Sequence, residues 1–217
     1  VERRSGGGGF AAWVGLTVLI QGAVALALLR PGLGTRPLLR LLAIVFGTAF
    51  AAEAIGAATD LPFGAYEYTA LLQPQLLGVP LVIPVAWLML LPSSWAVARL
   101  IWGRRGGLAF ALLSGVALTA WDLFLDPQMV SESYWTWRDT TWTLPGIDGI
   151  PLQNFLGWLL SAFLLMLVLA GLPERIARDG APTFMITWIY ASSVLANVAF
   201  FGRGWVALWG GVCMGAV

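Results

Sequence analysis

Histidine and lysine are both absent from this 217-residue chain, and cysteine occurs once, at Cys213. Without His there is no imidazole base, no Ser-His-Asp triad and no histidine-ligated metal. A single Cys excludes an intrachain disulfide, a CxxC pair and a thiolate cluster. Without Lys there is no Schiff-base chemistry, and all twelve cations are Arg. Acid–base work therefore falls to Asp, Glu or Tyr.

Charge is the next scarcity. Charged residues make up 11% of the chain, against roughly 25% in soluble domains. The net charge is +1, with no basic patch that could follow a phosphate backbone, so nucleic acid is excluded as a partner. Hydrophobic residues make up 59%, with 26 Gly counted apart. That composition excludes a soluble enzyme and a disordered chain. It describes an integral membrane protein.

A membrane-crossing helix needs about 20 apolar residues. The runs predict an all-α bundle of about seven spans, at 10–29, 38–58, 76–102, 108–125, 150–172, 182–201 and a short last one at 205–217. Residues 1–9 read as a flexible lead-in, and 10–29 as a span rather than a cleavable signal. The rest of the chain, 10–217, reads as one transmembrane domain. Loops after the odd spans hold Arg30, Arg36, Arg40, Arg99, Arg104, Arg105, Arg175 and Arg178, whereas Arg3, Arg4, Arg138 and Arg203 lie on the other side. By the positive-inside rule the odd loops face the cytoplasm and the N-terminus lies outside.

The acids run the opposite way. Asp60, Glu67, Asp126, Glu132, Asp139 and Asp148 fall in or beside the outer loops, and Glu53 and Asp122 sit toward the outer ends of their spans. Gln153, Asn154 and Asn197 approach the same depth. Several segments thus deliver polar groups to one level, as a site at the outward end of a bundle would require.

Asp122 and Asp126 are four residues apart, on one helical face. Two carboxyls so placed in low dielectric disfavour double ionisation, which leaves a general acid. An acid inside a span is a candidate functional group, and Glu53 is a second one. The bland alternatives are that Asp126 ends its helix before Pro127, Asp122 pairs with an Arg, and Glu53 makes an interhelical hydrogen bond. Tyr66, Glu67 and Tyr68 fit an interfacial belt as readily as a site, and Trp135, Trp137 and Trp142 suit a belt or an amphipathic loop lying on the membrane. Twelve Trp exceed what anchoring asks, and aromatic faces stabilise cations. The DxxxD spacing also suggests a magnesium diphosphate prenyltransferase, but the Arg residues that would hold phosphate lie on the opposite side.

Four blocks together carry a family resemblance. They are Glu53-Ala-Ile-Gly…Thr59-Asp-Leu-Pro-Phe-Gly-Ala-Tyr-Glu-Tyr68, Leu77-Gly-Val-Pro-Leu-Val-Ile-Pro-Val-Ala-Trp87, Trp121-Asp-Leu-Phe-Leu-Asp-Pro-Gln-Met129 and Gly149-Ile-Pro-Leu-Gln-Asn-Phe-Leu-Gly-Trp158. In this order they resemble the membrane carotenoid 1,2-hydratases, among them the bisanhydrobacterioruberin and gamma-carotene hydratases. The pattern departs at Asp60, where a small or polar residue such as Gly is expected. The resemblance implies addition of water across the terminal 1,2 double bond of an acyclic carotenoid, with no cofactor and no metal. It implies a carotenoid drawn from the lipid phase, surrounded by membrane lipids. The sequence leaves oligomeric state open. On this reading Asp122 is the proton donor, and Asp126 or Glu53 tunes it or holds water. Gln153, Asn154 and Asn197 orient the water, while Tyr66, Glu67, Tyr68, Trp121 and Trp158 line the substrate. A membrane cyclase and a non-catalytic carotenoid or lipid carrier are the alternatives.

Overall fold

A computed structural model describes residues 7–103, 106–169 and 180–216. The helices are α1 (Gly7–Leu33), α2 (Thr35–Thr59), α3 (Ile83–Trp102), α4 (Leu108–Thr119), α5 (Asp122–Ser131), α6 (Leu152–Leu169), α7 (Gly180–Ala199) and α8 (Gly204–Gly215). Five stretches are long and apolar enough to cross a membrane, with α4 and α5 counting as one, and α7 and α8 add two shorter apolar helices. The expected bundle of about seven spans is what the chain forms.

The bundle is built around α3, which packs against α1, α2, α4 and α7 and is buried along nearly its whole length. Helix α4 comes close to α6 at Gly115, where a β-carbon would stand 3.1 Å from the Phe163 backbone nitrogen. Elsewhere the helices turn apolar side chains outward: Leu156, Leu160, Leu164 and Val168 form an exposed stripe on α6. That stripe is the surface a hydrocarbon solvent accepts and water does not.

Three two-stranded antiparallel sheets join the helices: β1 (Tyr66–Tyr68) with β4 (Trp135–Trp137), β2 (Gln75–Leu76) with β3 (Val79–Pro80), and β5 (Thr143–Leu144) with β6 (Ile147–Pro151). They correct two boundaries. Residues 76–82, expected as the start of the third span, form a hairpin turning at Leu77 and Gly78, both at positive φ, and Pro84 then sits near the start of α3. The fourth span, expected to end at 125, continues to Ser131 with Pro127 inside α5. Helix α1 begins at Gly7, within the expected lead-in. Residues 1–6 and 170–179 lie outside the described residues, and with them Arg3, Arg4, Arg175 and Arg178; Arg104 and Arg105 do too.

Asp60 follows α2 in the left-handed region, at φ 63°, with its N–H bonded to the Gly56 carbonyl. Such a helix-ending position favours Gly, which accounts for the small residue expected there. Here the Asp60 carboxylate instead pairs with Arg138 at 2.7 Å, both side chains being about half exposed.

Candidate active site

The buried face of α2 runs Leu41, Val45, Ala49, Glu53 and Gly56. Steps of four and three residues keep these on one side of a helix, so Glu53 continues an apolar stripe into the bundle and is 3% exposed. Its Oε2 accepts two phenol hydrogen bonds, from Tyr66 at 2.7 Å and from Tyr68 at 2.8 Å. Both donors come from β1, where side chains alternate faces. Tyr66 and Tyr68 therefore point inward while Glu67 points out and is exposed. Burial first, and then the Glu53 carboxyl, push both phenols well above the ordinary tyrosine value of 10.0, so they remain donors.

Strand β4 pairs Trp137 with Tyr66 and Trp135 with Tyr68. The pairing continues at both ends, from the Arg138 N–H to the Ala65 carbonyl and from the Thr69 N–H to the Tyr134 carbonyl. Four aromatic rings thus line one face of a two-stranded clamp. Tyr66 meets Tyr68 edge-on at 5.4 Å, Tyr68 meets Trp135 edge-on at 5.7 Å, and Tyr66 lies 5.1 Å from Trp137.

Beneath the clamp, Asp122 and Asp126 stand one turn apart on α5, each 1% exposed. The amide of Asn154, in the first turn of α6, donates to Asp122 Oδ2 at 3.0 Å and also to Asp126 Oδ2. The Trp135 indole N–H donates to Asp126 Oδ1. The other oxygen of Asp122, Oδ1, has no hydrogen-bond partner among the described residues. The indole of Trp87 stands beside Glu53 and that of Trp137 beside Asp126.

These groups surround a cavity of about 30 Å³ lined by Glu53, Tyr66, Tyr68, Asp126, Asn154, Trp135, Trp137 and Trp158, with Phe63, Ile83, Ala86 and Leu125 completing the wall. That volume accommodates a water molecule or two. Trp158 stacks on Trp87, centroids 4.6 Å apart and planes 20° from parallel. Among the described residues, no group of three or more His, Cys, Asp or Glu is placed to hold a metal.

The structure gathers seven of the expected residues into one unit: Glu53, Tyr66, Tyr68, Asp122, Asp126, Asn154 and Trp158. Four stand elsewhere. Glu67 is on the outer face of β1, and Gln153 donates to the Asp60 carbonyl from an outer depression of about 340 Å³ shared with Asp139 and Trp142. Trp121 lines a different groove. Asn197 is buried on α7, bonded to the Ser193 carbonyl. Trp135, Trp137, Phe63 and Trp87 were not expected in the site. For the first two the signal was present, since Trp135-Thr-Trp137 alternates as Tyr66-Glu-Tyr68 does.

The sequence profile of a family described as "carotenoid biosynthesis protein" matches residues 13–217. The chain belongs to that family. Among curated relatives, the chain is 28% identical over 172 residues to the bisanhydrobacterioruberin hydratase of Haloarcula japonica. The match covers 73% of the chain and 55% of the relative, so the chain spans about half the length of the curated relative it matches. No solved structure matches it. The family and the apolar helices together place it among integral membrane proteins of carotenoid biosynthesis.

Proposed function

We propose that this protein is a carotenoid hydratase, adding water across the terminal 1,2 double bond of an acyclic carotenoid without a cofactor. The observation that carries the reading is the aromatic-walled cavity of about 30 Å³, with Glu53 on one wall and Asp126 on another. The relative's hydratase name supports it.

The chemistry is addition through a cation. A carboxylic acid gives its proton to carbon 2, the double-bond electrons form the new C–H bond, and carbon 1 is left as a tertiary cation. Water bonds to carbon 1 and then loses a proton, so one water is added and no electrons are exchanged. Asp126 faces the cavity and Asp122 does not, so Asp126 presents the proton, while the Asn154 amide, donating to both carboxyls, fixes Asp122 behind it. Glu53, fixed by two neutral phenols, receives the proton lost by water and returns it through water in the shared cavity to Asp126, so both carboxyls end the cycle as they began. The faces of Tyr66, Trp137 and Trp158 offer the negative quadrupole that a cation prefers. Water arrives from the outer depression that holds Gln153 and Asp139, and the odd loops face the cytoplasm, as the Arg distribution favours.

Expression in lycopene-producing cells, with products weighed by mass spectrometry, tests this. A gain of one water per reacted end is expected, and it should be lost in Asp126→Asn and Glu53→Gln. Full yield from Asp122→Asn, Asp126→Asn and Glu53→Gln alike would remove the carboxyls from the mechanism. An isomer with no mass gain would make the protein a cyclase, and carotenoid bound but never altered would make it a carrier.

A further inference from the structure

On its lipid side the bundle carries a groove of about 360 Å³, lined by Gln21, Val24, Trp121, Phe184, Trp188 and Ser193 with three further α7 residues. It opens laterally, since Phe184 and Trp188 are 67% and 64% exposed. The α7 members, Phe184, Met185, Trp188, Ile189, Ser192 and Ser193, repeat at helical spacing and form one stripe along the helix.

Two links join this groove to the carboxyl cavity. Trp121 in the groove and Leu125 in the cavity wall are one turn apart, tied by the Leu125 N–H to Trp121 carbonyl bond of 3.1 Å. Gln21 in the groove precedes Gly22, where a β-carbon would fall 2.5 Å from Val85 Cγ1, and Val85 precedes Ala86 of the cavity wall. The groove and the cavity thus draw on the same turn of chain at Trp121–Leu125 and on adjoining residues of α1 and α3. From Ser193 to Phe184 is about 14 Å at 1.5 Å per residue. The α7 stretch alone is about half of the roughly 30 Å hydrocarbon core.

We infer that this groove binds the shaft of a long acyclic polyene whose terminal double bond is brought to the edge of the carboxyl cavity. The inference rests on the hydratase reading for what happens at that end, but not for the binding itself. Its chemistry suits a flat conjugated chain better than a saturated one. Trp121, Trp188 and Phe184 supply aromatic faces for stacking, and Gln21 supplies amide N–H groups that a π system accepts.

The test uses purified full-length protein in detergent, with lycopene as the long probe and a fifteen-carbon acyclic terpene of the same end group as the short one. Ser193→Trp and Val24→Trp fill the groove, and Leu164→Trp, on the exposed stripe of α6, is the control. Lycopene retention should fall about ten-fold in each groove variant. KM for its hydration should rise in parallel, while the short probe and the control stay near wild type. Wild-type lycopene retention in both groove variants would overturn the proposal. So would intact retention with an altered oligomeric state, which would make this face an interface between copies. If wild type retains lycopene, loses it in Ser193→Trp, and hydrates neither probe, the groove stands and the hydratase reading falls.

Discussion

The indole N–H of Trp135 donates to Oδ1 of Asp126, so a strand outside the helix bundle holds a carboxyl inside it. The Asp122–Asp126 pair alone would be two acids on one helix face. Trp135 and Asn154 turn it into an oriented unit, since Asp126 accepts at both oxygens.

Trp135→Phe keeps a ring against Tyr68 but removes the indole N–H that donates to Asp126 Oδ1. Leaving a buried carboxyl oxygen unsatisfied costs about 1–3 kcal/mol. Product yield should fall about ten-fold or more while membrane insertion is unchanged, measured as product per unit of purified protein. Wild-type yield would show that Asp126 needs no such anchor.

The phenols of Tyr66 and Tyr68 release protons in the folded state only well above 10.0. The folded protein therefore binds those protons more tightly than the unfolded chain does. This stabilisation is fully present below pH 10 and is lost as pH rises from there toward the folded-state values. Thermal unfolding in detergent should show a steep alkaline decline, and Tyr68→Phe should flatten it. Identical slopes would remove Tyr68 from the coupling.

Gly56 stands where a β-carbon would come within 2.7 Å of Phe63 Cδ2 and 2.9 Å of the Tyr66 hydroxyl. Gly56→Ala should push Tyr66 off Glu53 and cost about 1–3 kcal/mol by overpacking. Activity should fall further than in Tyr66→Phe, which removes the hydroxyl without forcing the ring to move. The comparison is made on turnover and melting temperature together.

Asp60→Gly runs the other way. The left-handed φ of 63° suits glycine, and the exposed pair with Arg138 is worth about 0–1 kcal/mol. Stability should change by less than about 1 kcal/mol, with hydration retained. A large loss would mean that the Asp60–Arg138 pair braces the clamp.

The spans and the carboxyl pair were legible because each is a local pattern. An apolar run of 20 residues or an i, i+4 spacing needs no knowledge of distant chain. The stretch Leu76–Val82 misled because an apolar run reads alike for a buried helix and a short hairpin; only Leu77 and Gly78 at positive φ mark the difference. Trp135 and Trp137 were hidden for another reason. Trp near a membrane boundary reads as an anchor, and their role depends on pairing with Tyr68 and Tyr66, about 70 residues away. Glu67 was drawn into the expected site by adjacency alone, and strand alternation then turned it outward. Asp122 was legible as a buried acid, but its place behind Asn154 depends on α6.

The clamp also divides the history of the chain. The helices satisfy their own backbone and can enter the bilayer one by one, whereas β1 and β4 pair only after the spans between them are in place. Insertion and activation are thus separate events. A lesion in Tyr66–Tyr68 or Trp135–Trp137 should leave a correctly inserted, well-expressed protein that was never switched on, and abundance in the membrane would be no guide to the fraction that works.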